Sequence, residues 1–142
     1  SQFSKYQAQA TKLAQEGIEK VRSGRDRNQC VTYTGSSIIN SWNGNNTACS
    51  VINTASFWNT QIQGNCIPNC YFNVSDQGAL TYIAASPDIP SLAESIPPFK
   101  RVIIISDYAA SYTTQKTVTV IVKWTDFSGD HQSQLTTVLG KI

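Results

Sequence analysis

Over residues 1–28, apolar or small side chains recur at Phe3, Tyr6, Ala10, Leu13, Ala14, Gly17, Ile18 and Val21. Steps of three and four residues place them on one face of a 3.6-residue helix, so the segment reads as one uninterrupted amphipathic helix whose apolar face needs a partner. A helix of that length spans ~42 Å, more than a small domain needs to cover its sheet. Its first two turns are therefore expected to project, exposing Phe3 and Tyr6.

The period then disappears. Residues 29–69 are rich in Asn, Ser, Thr and Gly, with Trp42, Phe57 and Trp58 as isolated large anchors. So long a connection in a compact domain needs short helices, small strands and cross-links to organise it, and residues 55–62 suit a helical turn or two. From residue 71 the period becomes two. Residues 71–75 and 79–83 flank Asp76-Gln77-Gly78, whose glycine can take the positive φ of a three-residue hairpin loop. Residues 86–98 hold Pro87, Pro90, Pro97 and Pro98, which forbid a central strand and mark an ordered crossing loop. Residues 99–106 resume with β-branched side chains. Residues 116–125 set Val118, Val120 and Val122 against Thr117, Thr119, Ile121 and Lys123, and residues 131–139 pair back across the turn at 126–130. The expected fold is α+β: a long helix packed through Leu13, Ile18 and Val21 on an antiparallel sheet of about four strands. Helix (1–28) and head (29–142) form a single domain.

Composition narrows the setting. With 142 residues and 40% hydrophobic content, one core of moderate size is expected. The absence of methionine implies that a preceding segment has been removed, and the longest apolar run in the strands, Val102-Ile103-Ile104-Ile105, is far shorter than the ~20 residues that cross a bilayer. Any membrane anchor is expected upstream. Four cysteines, Cys30, Cys49, Cys66 and Cys70, fall in the loop-rich middle, which predicts two disulfides and an extracytoplasmic location. Zinc is the competing reading, but paired Cys-x-x-Cys knuckles and a nearby histidine are missing. Spacing leaves the connectivity open, although a Cys66–Cys70 loop, leaving Cys30 with Cys49, is favoured.

The run Leu13-Ala14-Gln15-Glu16-Gly17-Ile18-Glu19-Lys20-Val21-Arg22-Ser23-Gly24-Arg25-Asp26 resembles the helix of bacterial type IV pilin-like proteins, those with a prepilin-type cleavage and methylation signal. Three later runs are similar to strands of the same family: Pro98-Phe99-Lys100-Arg101-Val102-Ile103-Ile104-Ile105, Val118-Thr119-Val120-Ile121-Val122-Lys123-Trp124-Thr125-Asp126 and Leu135-Thr136-Thr137-Val138-Leu139. The resemblance leaves residues 29–70 as variable territory. It implies a structural subunit of a type IV pilus or pseudopilus, displayed at the cell surface and anchored in the membrane through the apolar helix half before assembly. Its implied partners are other pilin subunits and the pilus assembly machinery. The leader, cleavage site and apolar helix half are not among these residues, so no residue is carried over for those roles. Alternatives are a minor pilin that primes or tips the filament, and a monomeric secreted adhesion module.

Charge is unevenly spread: residues 1–27 hold six of the eleven Lys and Arg against three acids, within a net charge of +2. Glu16, Glu19, Arg22, Arg25, Asp26 and Arg27 form either a solvated helix face or inter-subunit ion pairs. The excess is too small, and lacks the fold signature, for nucleic-acid binding. A single histidine, His131, and no Gly-x-Ser-x-Gly elbow argue against an enzyme, and no cofactor is implied. Asp126 and Asp130 flank a glycine turn and form a weak calcium candidate. Tyr33, Trp42, Trp58, Tyr108 and Tyr112 form either core anchors or a stacking surface. Asn45-Asn46-Thr47 and Asn73-Val74-Ser75 are sequons that matter only in a eukaryotic secretory setting.

Overall fold

The computed structural model describes residues 2–33, 39–49, 55–62, 66–107 and 110–142. Helix α1 spans Gln2–Asp26. It ends where Asn28 takes a left-handed conformation (φ 53°), which asparagine tolerates, and where Gln29 N–H donates to Gly24 O at 2.8 Å.

The sheet corrects the expectation of about four strands, because it contains eight among the described residues. They are β1 (Cys30–Thr32), β2 (Ile39–Ser41), β3 (Cys70–Val74), β4 (Leu80–Ala85), β5 (Glu94–Ile96), β6 (Phe99–Asp107), β7 (Gln115–Asp126) and β8 (Gly129–Gly140). The order is β2-β1-β4-β3-β6-β7-β8, with β5 also pairing to β6. All pairings are antiparallel except β1 with β4, which is parallel. β1 and β2 are small strands of the kind expected, without a position, within residues 29–69, and β5 falls in the proline-rich segment; each has three residues, too few to show alternation. β3 and β5 share one edge of β6: β3 takes Ile103 to Ile105, and β5 takes Phe99 to Arg101. The proline-rich segment 86–98 thus contributes only a short strand to that edge.

Alternation along β6 and β7 sends Phe99, Arg101, Ile103 and Ile105, and Lys116, Val118, Val120, Val122 and Trp124, to one buried face. Two covers lie on that face. Over β6 to β8 lies α1, whose buried residues Ala10, Ala14, Gly17, Val21 and Gly24 are spaced by four and three. These residues are small, so the helix approaches closely: a Cβ on Gly17 would lie 2.9 Å from Val120 Cγ1, and one on Gly24 only 2.1 Å from Gly78 O in the β3–β4 turn. Gly78 itself has φ of 91°, which glycine adopts freely. Ile18 is buried beside this stripe, whereas Leu13 is only half-buried on its shoulder.

The second cover comes from the described residues between 29 and 62. Tyr33, Trp42, Phe57 and Trp58 interlock edge-on and tilted, and Tyr33 stacks on Phe72 of β3. The helical turn expected within 55–62 is a single 3-10 turn, Phe57–Asn59, capped by Ser56, whose hydroxyl accepts from Trp58 N–H. Cys30–Cys49 ties this region, and Cys66–Cys70 closes the short loop that leads into β3, with Cα atoms 5.3 and 4.8 Å apart. On the opposite face of the sheet, segment 86–98 packs Ile89 and Ala93 against Tyr71, Val102 and Ile121.

Candidate functional site

The helix charges singled out from sequence mostly find partners within this chain. Glu16 Oε1 accepts from Arg101 Nη1 at 3.0 Å and pairs with Lys20 at 3.3 Å. Arg101 lies beneath the helix at 1% exposure, where its Nη1 also donates to Leu13 O and its Nε to Glu94 Oε1, each at 3.0 Å. Parity along β6 places this cation on the buried face, and two carboxylates with a helix carbonyl compensate for its desolvation. The Arg101 guanidinium holds the Glu16 carboxyl below its ordinary value. Lys20 reaches Asp76 at 2.8 Å, which raises the lysine and lowers the aspartate. Arg22 pairs with Glu19, while Arg25 pairs with Asp26 and donates to Gly140 O at 3.1 Å. Exposed Arg27, Lys5 and Lys12 flank this network.

A second buried cation escaped the sequence reading. Lys116, fully buried at the start of β7, donates to Asp107 Oδ1 at 3.1 Å and Thr60 O at 2.6 Å, beneath the rings of Phe57 and Tyr112. Burial pushes its ammonium below the usual lysine value, and Asp107 partly offsets this. Asp107 Oδ2 also accepts from Ile62 N–H at 2.8 Å, so the pair pins residues 60–62 to the sheet. The signal was available, because Lys116 shares the parity of Val118, Val120 and Val122.

At the other end of β7, His131 lies across from Trp124 and meets Phe3 edge-on, with ring centroids 5.0 Å apart. Phe3 is half-exposed and also faces Trp124, and Tyr6 packs edge-on against Phe99. The first turns of α1 therefore rest on the sheet rather than projecting. His131 Nε2 lies 3.0 Å from Ser128 Oγ and 2.9 Å from Asp126 Oδ1. A proton relay needs serine and aspartate on opposite ring nitrogens, and here both share one, so the cluster braces the turn rather than activating the hydroxyl. Ser128 holds Asp126 below the usual carboxylate value.

Asp130 pairs with Thr125 in the ladder, and its Oδ1 accepts from the Thr125 hydroxyl at 2.6 Å. Asp126 and His131 share the face of Trp124 while Asp130 lies on the reverse face, so the two aspartates do not converge as calcium ligands would. Among the described residues, no group of three potential ligands could hold a metal.

Tyr33, Trp42 and Trp58 belong to the core, and Tyr112 covers Lys116, so they do not form a stacking surface. Tyr108 lies outside the described residues. Asn73, of the second sequon, binds Leu92 O and Glu94 N–H and so holds the 86–98 segment in place. Large apolar residues are exposed at both ends of the sheet: Phe127 at 97% in the β7–β8 turn, and Ile67 at 77% between the paired Cys66 and Cys70. Among the described residues, no helix is long and apolar enough to cross a membrane. Compared with known proteins, the chain matches no family model, no curated protein and no solved structure.

Proposed function

We propose that this chain is the head of a type IV pilin-like subunit that polymerises into a pilus or pseudopilus. The observation that carries the reading is the 25-residue α1, laid by a small-residue stripe over β6–β8 and locked to the sheet by Arg101 and the Gly24–Gly78 contact. A helix held that rigidly suits a subunit that transmits force from a filament core into its head. The runs quoted for the resemblance coincide with the elements in contact: residues 13–26 lie in α1, and the later runs in β6, β7 and β8. The two disulfides suit an oxidising compartment outside the cytoplasm.

The subunit waits in the membrane through an apolar helix half upstream of residue 1 and enters the filament after leader cleavage, where burial against other subunits replaces contact with lipid. Its partners are other pilin subunits and the assembly machinery. Fractionation of cells expressing the complete gene tests this. The protein should sit in the membrane fraction and shorten when the processing peptidase is present, whereas a freely secreted, uncleaved protein would favour the adhesion-module reading instead.

A further inference from the structure

Segment 86–98 covers only part of the sheet face turned away from α1. Beside it the ladder sets Lys100 of β6 directly opposite Lys123 of β7, both on that face because Arg101 and Trp124 alternate to the other. Like charges directly opposed weaken a sheet, a cost that an anion held between the two ammonium groups would remove. Neighbouring groups neutralise the pair only in part. Lys123 lies 3.8 Å from Asp130, and Lys100 donates to Ser91 O at 3.4 Å, with no carboxylate partner among the described residues.

Both lysines line a hollow of about 330 Å³ with Ser91, Thr125, Pro90 and Pro98. A second hollow of about 380 Å³ shares Lys123 and Ile89 with it, and adds Asn69, Asp88 and Gln132 around a floor of Ile104 and Ile121. Joined through Lys123, the two form one groove along residues 87–91, cationic in the first hollow and lined in the second by amides, one carboxylate and aliphatic carbon. Small-molecule sites occupy roughly 300–1,000 Å³, so each hollow alone is small and the two together suit an elongated ligand.

We propose that this groove binds an acidic saccharide, its anionic group seated between Lys100 and Lys123 and an adjoining ring in the hollow of Asn69 and Gln132. A sugar ring carries hydroxyls at its rim and C–H groups on its faces, which the amides and the isoleucine floor match in turn. An extended peptide fits less well, because it draws affinity from main-chain hydrogen bonds, and β6 and β7 beneath the groove are paired on both sides. A flat anionic membrane fits less well too, since the lysines line a recess with Asp88 and Asp130 beside them. The site needs no filament, so it stands apart from the subunit reading above.

Tetragalacturonate titrated into the 142-residue chain, with backbone amides followed by NMR, tests this. Saturable shifts should centre on Lys100, Lys123, Thr125 and Gln132, while neutral maltotetraose and the peptide tetraglutamate each bind at least about tenfold more weakly. Lys100→Gln combined with Lys123→Gln should abolish the shifts. Lys100→Glu separates lost binding from lost fold: it sets opposite charges across the ladder, so its thermal midpoint should equal or exceed that of the wild type while binding disappears. The proposal is overturned by no saturable shift with either tetragalacturonate or a sulfated heparin tetrasaccharide, or by shifts centred on Lys5 and Lys12 of α1. Equal affinity for maltotetraose or tetraglutamate, or binding that survives in Lys100→Glu, would overturn it as well.

Discussion

The two covers on the buried face of the sheet solve one problem with opposite means. Helix α1 covers β6–β8 with almost no side-chain bulk: Ala10, Ala14, Gly17 and Gly24 bring backbone against sheet, and charge is satisfied at the flank by Arg101 and Glu16. Residues 29–62 reach β3 and the far ends of β6 and β7 with large rings instead, held by Cys30–Cys49 and by the buried Lys116–Asp107 pair. A repeating element covers a surface by periodic small contacts. An irregular segment has no period to exploit and relies on cross-links and individually placed polar anchors.

Substitutions should break the two covers in different ways. The largest effect is expected from Gly24→Ala, because the added methyl meets backbone at Gly78 O and neither element can yield cheaply. A loss of more than about 3 kcal/mol is expected by chemical denaturation, or failure to fold, whereas Gly17→Ala, which meets the Val120 side chain, should cost about 1–3 kcal/mol. If Gly24→Ala costs no more than Gly17→Ala, the backbone-on-backbone contact is not present.

On the other cover, Asp107→Ala strands the buried Lys116 ammonium and should cost about 3–5 kcal/mol. Replacing both partners together, Asp107→Leu with Lys116→Met, should recover most of that loss. A double variant as unstable as the single one would mean that the anchoring of residues 60–62, and not the unpaired charge, dominates. Removing Cys30–Cys49 by paired serine substitution should cost about 3 kcal/mol, and removing Cys66–Cys70 about 2, because the first closes a loop of 19 residues and the second a loop of 4. Reversing that order would show that strain or residual structure outweighs loop closure.

The smallest effect should come from Glu16→Ala. Half-exposed, Glu16 shares Arg101 with Glu94, so about 1 kcal/mol or less is expected at neutral pH. Its folded pKa is lowered, so its contribution is present above the ordinary value of 4.5 and lost as pH falls through the lowered one. The stability gap between wild type and Glu16→Ala should therefore close in acid. A gap that widens on acidification would contradict the role given to Arg101.

Legibility from sequence followed the same division. The helix, the β3–β4 hairpin and β6 to β8 stood out because each repeats its period over 5 to 25 residues, and the helical spacing of Ala10, Ala14 and Gly17 was visible too. The strands β1, β2 and β5 were not legible: three residues carry no period, and their pairing is imposed by tertiary context such as the parallel match of Val31 with Leu80. Both buried cations were within reach of a parity argument, since Arg101 alternates in phase with Phe99 and Ile103, and Lys116 with Val118. Polarity had obscured the phase. The same rule separates the two aspartates of the calcium candidate, because residues 126 and 130 face each other diagonally across a tight turn and emerge on opposite faces.

The filament reading rests finally on where the mature protein goes. Immunogold electron microscopy of sheared surface fractions, from cells carrying the complete gene with and without the processing peptidase, measures this directly. The account predicts label along filaments only when the peptidase is present. Label confined to soluble secreted material with the peptidase active would contradict it.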